Sequence, residues 1–286
     1  MNRNFYISDP DAFSVSTEVE PQQTWHNRRQ PLSLEEADVQ AVIAAVAGGM
    51  YDIGDDLPTL ASTPDRLALV ENKDLLSMVE LRRAATPLDL MSFSAQDEMP
   101  SEYFLKEDAR QSMLAVFNWT DGPRSHDLKL TDLGLAEGGS YQAFDALHGD
   151  APVALEGGSI SINQQPPHSV RLIKIINSSV PAAAPSVTLN APASAGTGQA
   201  IKLQAIDAAD GVPAISYHWD FGDGTSATGP AVSHTFTRAA DYSVKLAVDG
   251  MDGLPADKQI TVAVRGAVPT AFHLDQNRRY AGPAGK

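Results

Sequence analysis

The sequence predicts a mixed, mainly β fold in which an incomplete strand-and-helix segment is followed by two antiparallel β units. Three observations predict it. The first 87 residues alternate short aromatic or β-branched runs with helical periodicity. From about residue 88 the runs become short strands separated by Gly and Pro turn clusters. A small-residue, Pro-bearing linker, Val180-Pro181-Ala182-Ala183-Ala184-Pro185, then divides one β stretch from the next.

In the first segment Phe5-Tyr6-Ile7 reads as a strand ended by Asp9-Pro10-Asp11. A polar loop follows through His26 and Arg28. Ser33-Leu34-Glu35-Glu36 is a capping box, and Val39, Val42, Ile43 and Val46 recur behind it at helical spacing up to Gly48-Gly49. Met50–Gly54 reads as a second strand, Pro64 opens a second helix, and Leu75–Val79 reads as a third strand. This is the rhythm of a parallel sheet. Three strands do not close a domain, and a (β/α)8 barrel takes about 250 residues, so a barrel would be present only as its last third. In the next segment Met113–Trp119, Leu128–Leu130, Tyr141–Phe144, Ser159–Ile162 and Ser169–Ile175 read as strands of an antiparallel sandwich. Beyond the linker, alternation resumes from Val187 to Val264, and residues 267–286 read as a flexible tail.

Composition narrows the function classes. The 286 residues carry 21 Lys and Arg against 36 Asp and Glu, a net charge of −15, which repels a phosphate backbone and excludes general nucleic-acid binding. No apolar run is long enough for a membrane span. The absence of Cys excludes disulfides, thiolate zinc sites and Cys nucleophiles. The seven His are scattered without an i, i+4 pair, so a His metal site is not expected. Gly196-Thr197-Gly198 lacks the strand-to-helix setting of a dinucleotide loop. Asn118 and Asn177 open glycosylation sequons by pattern, but Asn118 falls inside a predicted strand. Met1 is followed by no basic region and apolar core, so no signal peptide is expected in this chain.

The last β unit carries Trp219-Asp220-Phe221-Gly222-Asp223-Gly224-Thr225, His234-Thr235-Phe236 and Asp241–Val248. These motifs resemble a PKD domain, an Ig-like β-sandwich, over residues 184–266. Trp219 and Phe221 share one strand face and so read as core. Gly222 and Gly224 suit a turn with positive φ, in which Asp223 bonds its own backbone. Calcium held by Asp220 and Asp223 is not expected, because the ligand ladder of an EF-hand loop is missing. Trp219 as an exposed sugar platform is set against Trp219 as core, and the core reading is preferred.

The earlier segments resemble, in order, Asp9-Pro10-Asp11, the run Ala44–Leu57, the run Pro64–Asp74, the strand Leu114–Thr120 and the closing Pro166–Leu172 of the clan-D glycoside hydrolases, the α-galactosidase (melibiase) group. That family has a catalytic (β/α)8 barrel followed by an antiparallel C-terminal sandwich. The resemblance implies that residues 1–87 are the last strands and helices of the barrel and 88–178 the sandwich. Phe5–Ile7 would be the seventh strand and Met50–Gly54 the eighth. Retaining glycosidases use two carboxylates about 5–5.5 Å apart. In the family both come from earlier strands, outside this chain, so the resemblance implies no catalytic residue in this fragment. It gives Asp11, with Asp9, the role of binding sugar hydroxyls, and Ala12 stands where many relatives have Met. A competing alignment puts Ser8-Asp9 on the sixth-strand acid/base, though the downstream spacing favours the seventh strand. Asp55 and Asp56 read as structural strand-end groups, and His26 and Arg28 as a solvated loop.

The reading is the C-terminal fragment of a retaining glycoside hydrolase of terminal α-galactosides. It works without a cofactor and is expected to be inactive alone, with a galactoside as partner and an extracellular or periplasmic parent protein. The alternative is a non-catalytic module that binds a carbohydrate or protein surface, or acts as a spacer. No oligomeric state follows from the sequence.

Overall fold

The computed structural model describes residues 12–15, 32–92, 99–209 and 211–266. The expected strand Phe5–Ile7, the residues Asp9, Asp11, His26 and Arg28, and the tail from 267 lie outside the described residues. The chain divides into two compact units, one of residues 1–188 with 207–217 and 247–256, the other of 189–206, 218–246 and 257–286.

Among the described residues of the larger unit, four helices follow the segment 12–15. The capping box forms: the Ser33 hydroxyl accepts from the Glu36 amide at 3.1 Å, and the Glu36 carboxylate accepts from the Ser33 amide at 2.8 Å. It starts α1, Leu34–Val46, whose buried face is mostly Ala37, Ala41, Ala44 and Ala45. These small side chains let α1 lie close to its neighbours. The chain leaves the helix through Gly48 at φ +64°, where a Cβ would come within 2.3 Å of the Ala84 amide nitrogen, so only Gly fits. Three short helices follow, α2 (Leu57–Ala61), α3 (Pro64–Val70) and α4 (Lys73–Glu80).

Two expectations change here. Leu75–Val79, expected as a strand, lies inside α4. The Asn72 side chain caps that helix, accepting from the amides of Asp74 and Leu75 at 3.0 and 3.1 Å. Leu75 and Met78 are buried three residues apart, a helical period, which overrides the short apolar run. Met50–Gly54, also expected as a strand, supplies a single parallel bridge, from Ile53 to Phe13.

Among the described residues of this unit nine strands build two sheets. They are β1 (Thr86–Pro87), β2 (Glu102–Lys106), β3 (Gln111–Asn118), β4 (Arg124–Lys129), β5 (Tyr141–Asp145), β6 (Ala151–Val153), β7 (Leu155–Glu156), β8 (Ser159–Gln165) and β9 (Ser169–Asn177). One sheet has the order β1-β2-β3-β9-β5-β6 and the other β4-β8-β7. The pairs are antiparallel, with Leu114 opposite Ile173 and Val116 opposite Arg171 at the centre. Every residue of β3 is buried. The cause is a three-layer arrangement. Met113, Ala115 and Phe117 share a core with Ala41, Ala45 and Met78 of the helices, while Leu114 and Val116 share another with Leu128, Ile160 and Ile162 of the second sheet. A strand covered on both faces reads as a continuous apolar run. Asn118 at its end is fully buried and donates through Nδ2 to the carbonyls of Gly122, Gln165 and Pro166. It ties the sheet end together and is not available to a glycan.

The remaining strands are β10 (Val187–Asn190), β11 (Ser194–Gly196), β12 (Ala200–Asp207), β13 (Ala214–Asp220), β14 (Ser226–Thr228), β15 (Ala231–Thr235), β16 (Ala240–Gly250) and β17 (Pro255–Arg265). They form sheets of order β10-β12-β15 and β11-β17-β16-β13-β14. Trp219, Phe236, Leu203, Val244, Leu246, Val262 and Val264 are fully buried, so the alternation expected of a sandwich is observed. The described protein is thus mainly β, with β-sandwich sheets. None of its helices is long and apolar enough to cross a membrane.

Candidate functional site

The sequence placed its site residues where Asp9-Pro10-Asp11 runs into Ala12–Val15. Of these, Asp9 and Asp11 lie outside the described residues. What is described is the ground they would stand on. Phe13 and Ile53 pair in parallel: the Phe13 amide donates to the Asp52 carbonyl at 2.9 Å, and the Gly54 amide donates to the Phe13 carbonyl at 2.8 Å. The approach is close because Gly54 has no side chain. A Cβ there would sit 3.3 Å from the Ala12 Cβ. The rings of Phe13 and Tyr51 meet at 4.7 Å beside the bridge. The Tyr51 hydroxyl is buried without a hydrogen-bond partner, and burial holds it in its neutral form, its pKa pushed up.

Asp55 locks the two segments together. One carboxylate oxygen accepts from the Ser14 hydroxyl at 2.7 Å, the other from the Val15 amide at 2.7 Å. Asp56 caps α2, accepting from the Thr59 amide and hydroxyl at 3.0 and 2.8 Å. Both carboxylates do structural work, as the sequence reading assigned them.

Sequence reasoning passed over Arg66. This residue of α3 is 5% exposed. Its guanidinium donates to the carbonyls of Val15 at 3.3 Å, Ser33 at 2.9 Å and Leu32 at 3.1 Å. It thereby holds the end of the Ala12–Val15 segment against the start of α1. The Pro64-Asp65-Arg66 run was the available signal, but nothing in a sequence distinguishes a buried Arg from a solvated one.

The other motif singled out was the loop after Trp219. The Trp219 side chain is buried, and its indole nitrogen donates to the Gly229 carbonyl at 2.9 Å, so Trp219 is core and not a sugar platform. Asp220 accepts from the Gly222 amide. Asp223 accepts from the amide and hydroxyl of Thr225 and sits 2.8 Å from the His234 ring nitrogen. Burial works against its charge, but the hydrogen bonds from Thr225 and His234 hold its carboxyl below the usual carboxylate range. His234 in turn stacks on Phe221 at 3.9 Å. Gly222 adopts φ +75°, and a Cβ there would meet the Ser243 carbonyl oxygen at 2.7 Å. Both carboxylates are therefore occupied in shaping the loop. Among the described residues no group of three or more His, Asp or Glu is placed to hold a metal.

Comparison with known proteins gives the following. Residues 182–264 match the PKD domain family, so this stretch of the chain carries a PKD domain. The PKD1 domain of the Vibrio cholerae metalloprotease PrtV is 29% identical, over 29% of this chain and 98% of that one, with a TM-score of 0.26. A structure of carbohydrate-binding modules of the β-sandwich superfamily is 26% identical over 31% of this chain and 37% of that one, with a TM-score of 0.28. A Bacillus halodurans C-125 protein assigned as an α-N-acetylgalactosaminidase is 17% identical over 52% of this chain, with a TM-score of 0.41. This chain covers 33% of that protein's length.

Proposed function

We propose that this chain is the C-terminal portion of a retaining glycoside hydrolase of terminal α-galactosides, with a PKD domain appended. In this reading residues 1–87 are the last strands and helices of its (β/α)8 barrel, 88–178 its C-terminal sandwich and 184–266 the PKD domain. One observation carries the reading. Phe13 and Ile53 pair in parallel across Gly54, and α1 lies between them in sequence. A strand, a helix and a parallel strand make the repeating unit of a barrel. The ordered motifs from Asp9-Pro10-Asp11 to Pro166–Leu172 agree with it.

Barrel active sites are built at the C-terminal ends of strands. Asp9 and Asp11 follow Phe5–Ile7, the segment that the resemblance makes the seventh strand, and we assign them to sugar hydroxyls, Asp11 foremost. The nucleophile and acid/base of a retaining pair come from earlier strands, so the chain by itself is inactive. No cofactor takes part. The parent protein is extracellular or periplasmic, as is usual for proteins with PKD domains.

A second reading is a non-catalytic module that binds a carbohydrate or a protein surface. It is favoured by a cavity of about 220 Å³ at the rim of the first sandwich, lined by Lys106, Arg110, Ser112, Tyr141 and Asn177 among others. Cationic, hydroxyl and amide groups together suit a hydroxyl-rich ligand.

One preparation of the purified chain separates the readings. It is assayed with an aryl α-galactoside and incubated with insoluble polysaccharides. The first reading expects no turnover and no retention on polysaccharide. Turnover at an ordinary enzymatic rate, abolished by Asp11→Asn, overturns the strand assignment. Retention on polysaccharide that Tyr141→Ala removes favours the module.

A further inference from the structure

The junction between the helices and the six-stranded sheet contains three buried carboxyl groups, Asp38 of α1, Asp74 of α4 and Glu107 at the end of β2. Asp74 has a full cation: the Lys174 ammonium of β9 lies 2.9 Å from it. The other two do not. Asp38, 5% exposed, faces the His148 ring at 3.3 Å in the turn after β5. The same turn is held by Asp145, which accepts from the amides of Leu147 and His148 and pairs with Arg171. From the helical side, the Asn72 amide donates to the Ala146 carbonyl of that turn at 2.8 Å. Glu107, 2% exposed, accepts from the Gln111 side chain at 2.6 Å through one oxygen, and its other oxygen has no partner. Arg83, just past α4, donates to the Glu107 backbone carbonyl rather than to its carboxylate.

We propose that docking of the helices on the six-stranded sheet is proton-linked, so that this seam is tightest in mild acid and loosens as pH rises through neutrality, with Asp38 and Glu107 as the controlling groups. The physical reason is that ionising a carboxyl away from water is costly unless a cation compensates it. The charged neighbours on every packed element bear this out. Around Asp38, burial acts first and raises its pKa to about 6. His148 and Arg66 oppose it, while Glu35 and Asp145 add to it. Around Glu107, burial raises the pKa to about 8. The Gln111 bond and Arg83 oppose it, and Asp74 and Asp108 add to it.

The direction follows from linkage. Both groups bind their proton more tightly in the folded chain than in the unfolded one. Their stabilising contribution is complete below the ordinary carboxylate values of 3.8 and 4.5 and is lost as pH rises through about 6 and about 8. For Asp38 alone the effect on the docking equilibrium reaches on the order of 100-fold, ten per pKa unit.

The test is hydrogen exchange followed by mass spectrometry on the full chain from pH 5 to pH 9, corrected for the intrinsic rate, with Asp38→Asn and Glu107→Gln as variants. Protection of peptides covering α1 and α4 is expected to fall by at least about 100-fold over this range, while peptides covering β16 hold theirs. Each variant is expected to flatten the fall by about tenfold and to raise protection above pH 8. Equal pH slopes in variant and parent, or protection that rises with pH, overturn the proposal. So does an Asp38→Asn chain that fails to fold at every pH, because a neutral group is what the folded seam favours.

Discussion

Between residues 32 and 180 polar groups are built into the core, whereas between 189 and 266 the core is aliphatic and aromatic. Asp38, Arg66, Asp74, Glu107, Gln111, Asn118 and Gln165 are all buried in the first region. Among the described residues the second region buries no whole polar or charged residue to that degree, although the carboxylate of Asp252 is covered beside Arg110. Its ion pairs, such as Arg265 with Asp241 and His234 with Asp223, keep one or both partners in contact with water. The difference teaches where each region gets its stability. A core of Trp219, Phe221 and Phe236 depends on apolar area and packing, which change little with pH. A core with Asp38 and Glu107 inside it depends on which charges are present, and so on the proton concentration.

The contrast can be broken from either side. The largest effect is expected from Trp219→Ala, which empties the centre of the second region and removes the indole bond to the Gly229 carbonyl. It should lower the unfolding free energy of that region by about 3–5 kcal/mol in urea titrations. The pH slope of exchange in α1 and α4 should stay as it was. A smaller loss, about 1–3 kcal/mol, is expected from Arg66→Met in the first region. Methionine keeps the length of the stem but leaves the carbonyls of Val15, Leu32 and Ser33 without their donor. If Arg66→Met proves as stable as the parent in urea, the polar core of the first region is decorative and the contrast fails.

The same contrast explains what could be read from the sequence. Alternation exposed the second region, because Trp219 and Phe221 could only be meant for one face of a strand. The capping box at Ser33-Leu34-Glu35-Glu36 announced α1, because both of its hydrogen bonds are local. Leu75–Val79 reads as a strand because its apolar run is short, whereas the Asn72 cap two residues before Asp74 belongs to the helix Lys73–Glu80. The roles of Asp38, Arg66 and Glu107 were illegible for a different reason. Burial of a charged side chain is decided by residues distant in sequence, His148 for Asp38 and Val15 for Arg66, and no local pattern records it. Asp55 was legible as structural, though its partners, Ser14 and Val15, were not.

The account turns on whether Ala12–Val15 and Tyr51–Asp55 are neighbouring parallel strands of a larger βα body. The chain has no cysteine, so a cross-link can be placed there without interference. A side chain at Gly54 would lie 3.3 Å from the Ala12 Cβ, close to the span of a disulfide. The double variant Ala12→Cys/Gly54→Cys, oxidised mildly and weighed by mass spectrometry, should therefore lose two hydrogens within one chain and regain them on reduction. Two thiols that stay free and alkylatable under the same oxidant, in a chain whose β16 amides remain protected, would contradict it.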